Sequence, residues 1–428
     1  MKKNYIYAIV IIALVIILGV LIYFFVRGEN TDNNIYDSSS AEITKNNNSE
    51  TEINSSNNSS STTAVKVSGK IYSSSDVFTD RDLKQTADLT DAKYYTLTSN
   101  DDIHITSEGV YVISGTASNA TIYVEAGDED KVQLVLDGIN ITNDNFPCIY
   151  VKSADKVFIT TNEYTSSSVS TENSLTVTGT FVEDGDVNTD GVIFSKSDII
   201  LNGTGTLTIS STDNGIVGKD DVKITGGTYN ITATSKTIEA NDSICISDGT
   251  FNLKAGTDGL HAENSDDNSL GYIFITGGTI NINAGDDGIH GTSVVQIDDG
   301  TINNIAAEGI EGTYIQINGG TIKISATDDG INAGKKSTAY SATVEINDGD
   351  ITINMGSGDT DGIDSNGDII VNGGTINVNG TSTFDYDGNA EFNGGTIIVN
   401  GSEVNAIPNQ LMGGGQGGKM MQGGRGQH

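Results

Sequence analysis

The residues of this chain best suited to chemistry lie about two dozen positions apart. Taking the residue after one recurrent aliphatic in each repeat unit gives Tyr150, Phe194, Val217, Glu239, His261, His290, Glu311, Asn332, Asp364 and Asp387, with one atypical unit between the first two. Two positions further on stand Lys152, Lys196 and Lys219, then Asn241 and Glu263. Stacked in space, these residues form a surface that is aromatic and basic at one end and acidic at the other, with two consecutive histidines between. Such a surface suits a ligand that stacks on aromatic faces and hydrogen-bonds to charged groups. In a chain without tryptophan, Tyr150 and Phe194 would supply the stacking. Polar outward columns are needed by any repeat protein. What favours a site is the block-wise change of polarity and the fall of two of the four histidines on neighbouring units.

A second column, just before the aliphatic, is acidic: Asp190, Asp213, Asp258, Asp286 with Asp287, Glu308, Asp328 with Asp329, and Asp361. Asp-Gly is a turn former in its own right, which accounts for many of these residues but not for their stacking. Two carboxylates about 4.8 Å apart repel by about 0.9 kcal/mol in water and about 3.5 kcal/mol at an effective dielectric of about 20. Cations among the oxygens are therefore expected. The stretch Asp186-Val187-Asn188-Thr189-Asp190-Gly191 has the alternating oxygens and sharp-turn glycine of half an EF-hand loop, yet Ser197 stands where the bidentate Glu would be. Asp359 and Asp361 with Asp364, and Asp385 with Asp387, are shorter versions. Hard oxygen ligands in number select calcium, and the histidine pair leaves zinc open.

These columns require a stack. Turns of the type GGT, DGT or NGT recur at Asn202, Gly226, Asp248, Gly277, Asp299, Gly319, Gly373 and Gly394, with a degenerate DGD at Asp348. The aliphatic series Ile193, Ile216, Ile238, Leu260, Ile289, Ile310, Ile331 and Ile363, ending at Tyr386, advances in steps of about 21 to 23 residues, with two longer steps of about 29 and 32. Each unit holds three short alternating segments bounded by Gly, Asp or Asn, none long enough for a helix. Three strands per turn give an all-β solenoid, a parallel β-helix whose coils stack at about 4.8 Å. The extra residues of the two long units fall at one corner, Glu263 to Gly271 and Gly334 to Ala342. They are expected to wall a trough, on the order of 10 to 15 Å wide, around His290 and Glu311.

The ends differ from the body. Tyr5 to Val26 is an unbroken apolar run of the length a bilayer requires, preceded by Lys2 and Lys3 and followed by Arg27. Residues 1–27 are thus expected to be an uncleaved transmembrane anchor with the remainder outside the cell. Residues 28–90 are expected to form a disordered Ser- and Asn-rich tether and an N-terminal cap, 91–408 the β-helix, and 409–428 a flexible Gly-rich tail. The formal net charge of -35 opposes DNA, RNA and anionic lipid as partners. Cys148 and Cys245 fall about three coils apart, or roughly 14 Å, too far for a disulfide.

Several coils carry a resemblance: IYVKSADKVFIT (149–160), IFSKSDIILNGTGTLTI (193–209), GIVGKDDVKITGGTYNI (215–231), DGLHAENSDDNSLGYIFITGGTINI (258–282), and TDGIDSNGDIIVNGGTINV followed by FDYDG (384–388). Over about residues 90 to 408 the sequence resembles a family of clostridial surface carbohydrate-binding domains. The resemblance implies a right-handed parallel β-helix like that of some pectate lyases, bound calcium, and cellulose or pectic acid as partner. It identifies no catalytic residue. The expected function is calcium-dependent, non-catalytic polysaccharide binding by a monomer at the cell surface. A pectate lyase using Lys152, Lys196 or Lys219 as base is the alternative, and a structural adhesin or spacer is a third reading. The expected polysaccharide ligands are Tyr150, Phe194, Lys196, Lys219, Glu239, His261, His290, Glu311 and Asn332. The expected calcium ligands are Asp186, Asn188, Asp190, Asp258, Asp287, Asp329, Asp359, Asp361, Asp364, Asp385 and Asp387.

Overall fold

The computed structural model describes residues 69–162, 172–357 and 360–409. The expected membrane anchor, most of the expected tether, Asp359 and the Gly-rich tail from 410 lie outside the described residues. Among the described residues no helix is long and apolar enough to cross a membrane.

One unit shows how the body is built. Asn214–Gly218, Asp221–Ile224 and Thr228–Ala233 are strands separated by tight turns. Each pairs in parallel with the equivalent strands one repeat earlier and one repeat later: Ile216 with Ile193 and Ile238, Val222 with Ile199 and Ile244, Ile231 with Ile209 and Leu253. Repetition of this rule yields three parallel faces around one aliphatic core. We call them the site face (containing Asn214–Gly218), the strap face (Asp221–Ile224) and the ladder face (Thr228–Ala233). The inward residues Ile193, Ile216, Ile238, Leu260, Ile289, Ile310, Ile331 and Ile363 are all 0% exposed. Each such side chain stabilises the fold by about 1.5–3 kcal/mol through removal from water. The last coil closes differently, as Ser402–Val404 turns back antiparallel on Thr396–Val399.

The GGT and DGT turns work because their second position needs glycine. Gly278 has φ 91°, and a Cβ there would stand 2.9 Å from the carbonyl oxygen of Gly249 in the coil before. On the ladder face, stacking of like residues is favourable. Asn252, Asn281 and Asn303 each donate a side-chain N–H to the Asn oxygen one coil earlier, starting from Asn230. At the turn between the strap and ladder faces a second ladder runs through Asn318, Asn347, Asn372 and Asn393.

The register corrects two expectations. Ile149 pairs directly with Ile193, and Tyr150 with Phe194, so no coil intervenes between them. The doubled spacing instead comes from two long connections within one coil, one from the strap-face strand ending at Thr161 to the ladder-face strand Asn173–Val177, the other from that strand to the site face at Gly191. In the last coil Phe384, not Tyr386, pairs with Ile363 and is fully buried, and Asp385, not Asp387, continues the outward column. Asp387 is exposed beyond it.

Of the segment expected to form the tether and N-terminal cap, residues 69–90 are described. Residues 69–85 form a strap across the outside of the strap face. Gln296 binds the Ile71 and Tyr72 backbone amides through its Oε1 and donates Nε2–H to the Tyr72 carbonyl. Tyr72 stacks on Tyr272 at 4.3 Å. A single helical turn, Ser74–Val77, sets Val77 and Phe78 over Cys245 and Phe274 as a small apolar cluster outside the main core. Lys223 donates to the Val77 carbonyl, Thr225 Oγ1 to that of Asp82, and Asn202 to that of Lys84. The strap thereby ties coils far apart in sequence. Both cysteines are free and buried, on different faces, and burial pushes each thiol up to about 12. We expect both to resist thiol reagents in the native protein. Phe78→Ala should speed labelling of Cys245 at least about tenfold, since losing this cover eases local opening by about 1.4 kcal/mol or more. Cys148 should stay unlabelled; equal rates at the two thiols, read by mass spectrometry, would show that the strap does not cover Cys245.

Candidate functional site

The outward column of the site face runs Tyr150, Phe194, Val217, Glu239, His261, His290, Glu311, Asn332, Asp364, Asp385, each the direct register partner of the next. It continues upward through Tyr123 and His104. The local cause is a repeated unit in which an acidic residue, a glycine and an inward aliphatic precede the column residue, as in Asp287-Gly288-Ile289-His290. The glycine lets the chain pass tightly against its neighbours: a Cβ on Gly288 would fall 2.0 Å from the Asn304 amide, and one on Gly309 would fall 2.3 Å from the Gly330 carbonyl oxygen. The turn then brings the acidic side chain and the column side chain to the same corner.

Three coils form a charged knot there. His290 Nδ1 lies 2.7 Å from Asp287 Oδ2 and 2.6 Å from Glu311 Oε2. Lys336 Nζ lies 2.6 Å from the other Glu311 oxygen. The His261 ring stacks on His290 at 4.5 Å, with its Nε2 3.3 Å from Glu263. Asp258 Oδ2 is 2.9 Å from His261 Nδ1. Asn332 donates to Glu308 at 3.1 Å. Asp258, His261, Asp287, His290 and Glu311 are all between 5% and 8% exposed. Burial alone would lower the His290 imidazolium, but the two carboxylates outweigh it and hold the ring up at about 9. Burial would raise Glu311, but His290 and Lys336 pull it down to about 2. Asp287 and Glu308, for which burial and the Glu311 charge prevail, are raised to about 6 and about 8.

The two long loops do not flank an open trough. Asn268 donates to Thr338 Oγ1 at 3.1 Å, and Ser337 Oγ donates to the Asn268 carbonyl at 2.5 Å, so the loops meet. Their undersides rest on the intervening coils, with Ser293 bonded to Ser269 and Ser337 to Thr313. The second loop also delivers Lys336 to Glu311, a contact that loop placement alone did not signal. The result is a roofed corner beside a nearly buried charge cluster.

At the upper end the expected stacking platform is closed. Tyr150 and Phe194 are 0% exposed; with Val217 they form an outer apolar cluster covered by Tyr123, Phe146 and Val187. Their rings meet edge to face at 5.6 Å, so neither offers a free face to a sugar. Lys152 pairs with Glu125 and Asp184; burial alone would lower its ammonium, but these carboxylates outweigh it and raise it, which opposes a role as neutral base. Lys219 stands 3.9 Å from Glu239, which Lys236 also approaches at 3.3 Å, while Lys196 remains exposed.

The lower end is carboxylate-rich. Asp258, Asp287, Glu308, Asp329 and Asp361 do stack, with Asp287 N–H donating to Asp258 and Asp361 N–H to Asp329. Asp190 and Asp213 stand one residue out of that register, because Asn214 pairs with Gly191. Burial and the charges of Asp329, Asp361 and Asp385 raise Asp364 to about 7; burial and its acidic neighbours raise Asp329 to about 6. In the Asp186–Asp190 loop, Asn188 donates to Asp190 Oδ2 at 2.7 Å, while Asp190 Oδ1 is buried without a hydrogen-bond partner. Asp186 and Asn188 are exposed. The orphaned Asp190 oxygen and the all-oxygen donor set at Asp329, Asp361, Asp364 and Asp385 fit a hard divalent cation. A further stack, Asp198, Asp220, Asp221 and Asp242, lies at the corner between site face and strap face, with Asp198 raised to about 7 by burial and by Asp221. It was missed in the sequence, although an Asp ends the turn in SKSD, GKDD and AND alike.

A family profile described as carbohydrate-binding domain-containing protein matches residues 99–359 and, overlapping it, 308–406. A protein of that description from Acetivibrio thermocellus is 39% identical over 132 residues, which is 30% of this chain and 44% of that protein. The chain thus matches less than half the length of this curated relative. Among solved structures, a polysaccharide lyase-like protein from C. thermocellum, studied as a gadolinium derivative, aligns with TM-score 0.45 at 29% identity over 62% of this chain and 97% of that one. The first profile match alone spans more than half of the 428 residues, and the chain belongs to the carbohydrate-binding domain-containing protein family.

Proposed function

We propose that the protein is a non-catalytic, calcium-dependent binder of acidic polysaccharide, held outside the cell by its N-terminal apolar segment. The β-helix is read as right-handed, the hand that parallel crossovers take in nearly all proteins. The observation that carries the proposal is the succession of half-buried carboxylates Asp329, Asp361, Asp364 and Asp385 on adjacent coils of one face. Their mutual repulsion favours bound cations, and calcium held there would supply the positive charge that a polyuronate needs to approach so acidic a surface. Cellulose fits less well, since a neutral glucan depends on open aromatic faces and Tyr150 and Phe194 are covered. The raised Lys152 ammonium does not favour lyase chemistry, in which a neutral amine takes the proton beside the uronate carboxylate.

A glycan array probed with the full chain tests this reading. Binding to polygalacturonate in calcium, abolished by chelator and reduced at least about tenfold in Asp329→Asn/Asp364→Asn, is expected; the loss of two bridging carboxylates corresponds to about 1.4 kcal/mol or more. Chelator-resistant binding, or no glycan bound, would overturn it. Ultraviolet absorbance of unsaturated products should stay flat when polygalacturonate and calcium are added.

Stability gives an independent check. Asp329, Asp364 and Glu308 bind protons more tightly folded than unfolded, so their contribution is fully present below their ordinary value near about 4. It erodes as pH rises through the folded values of about 6, about 7 and about 8. In chelator the melting temperature should therefore fall between pH 5 and 8. Millimolar calcium should restore roughly 5 °C at pH 8 and little at pH 5, where protons already occupy these groups. Equal calcium effects at both pH values would speak against carboxylates as the ligands.

A further inference from the structure

We propose that Asp287, His290 and Glu311 form a zinc-type metal site, separate from the oxygen-only positions suited to calcium. Among the described residues, this is the group of acidic and histidine side chains whose ligand atoms all lie within 4.8 Å of one another. Each of the three residues is more than nine-tenths buried.

The geometry around one nitrogen carries the inference. His290 Nδ1 has carboxylate oxygens at 2.7 Å and 2.6 Å, from Asp287 and Glu311. A ring nitrogen bears a single hydrogen, so one carboxylate is served and the other meets the nitrogen with no shared hydrogen along that line. A divalent ion among the three donors gives every one of them a bond. Zinc binds imidazole nitrogen at about 2.0–2.1 Å and carboxylate oxygen at about 2.0–2.2 Å, which sets tetrahedral donors about 3.3 Å apart. Side-chain shifts of about 0.6 Å reach that spacing.

The surroundings suit the ion. Two carboxylates and a neutral imidazole balance its charge. Lys336 occupies only Glu311 Oε1 and leaves Oε2 to the metal. Thr292 Oγ1, 3.5 Å from His290 Nε2, stands on the side where an acceptor for Nε2–H keeps the Nδ1 lone pair turned toward the acids. The stacked His261, 8% exposed and with its Nδ1 2.9 Å from Asp258, is a second nitrogen beside the site. One imidazole among carboxylates selects a borderline metal such as zinc; calcium takes six to eight oxygens.

The test uses the full chain, stripped with chelator and titrated with Zn²⁺ against a chromophoric competitor in millimolar calcium. One zinc per chain should bind. His290→Ala and Glu311→Gln should each weaken binding at least about 100-fold, while Asp364→Asn leaves it unchanged. Absence of saturable binding, displacement by calcium, or undiminished affinity in the folded variants would overturn the site. Should those variants fail to fold, His104→Gln combined with truncation before His428 leaves His261 and His290 as the ring signals in nitrogen-15 spectra. Zinc must then shift a ring nitrogen of that pair, and unchanged signals would refute the site. Neither readout involves a glycan, so failure here leaves the polysaccharide reading standing.

Discussion

Parallel pairing with a constant repeat sets each side chain directly above its own counterpart. In a structure of this kind chemistry is copied vertically, for better or worse. Isoleucine on isoleucine, as at Ile289 and Ile310, removes apolar surface from water and builds the core. Asparagine on asparagine satisfies donor and acceptor in turn along the ladders. Carboxylate on carboxylate gains nothing of the sort. The stretch from Asp258 to Asp385 is where the fold tolerates a repeated penalty, and that penalty is the physical basis of the functional reading.

The chain meets this repulsion differently along the face. Around His290 it inserts cations of its own: an imidazolium between two acids and a lysine brought from a distant loop. Further down, Asp329 and Asp364 sit among other carboxylates and rise to about 6 and about 7 through burial and their neighbours' charge. The first solution forms a compact cluster with one nitrogen. The second leaves oxygens for an outside ion. Family membership makes a carbohydrate partner the natural context, and under the proposed reading a divalent ion would let a protein of net charge -35 approach an acidic one.

Much of this was legible in the sequence because turns count coils. The GGT and DGT series placed Glu239, His261, His290, Glu311, Asn332 and Asp364 in one column, and the pairing register agrees. Where counting failed, the reasons are physical. Phe384 and Tyr386 are both aromatic and lie two apart, so strand alternation puts them on the same side and cannot choose between them. The 44 residues from Ile149 to Ile193 equal two repeats in length, which two long connections within one coil mimic. Exposure was least legible. Tyr150 and Phe194 do point outward, but Phe146 and Val187 fold over them, and the strap at 69–85 has no periodicity to announce that it lies on the coils. Outward and accessible are separate properties, and a column pattern reports only the first.

Anomalous scattering from crystals of the protein grown near neutral pH in calcium tests the central claim most directly. The account predicts ions within about 2.3–2.6 Å of carboxylate oxygens on the lower site face, among Asp329, Asp361, Asp364 and Asp385. Those four carboxylates standing together at saturating calcium with no ion among them would contradict it.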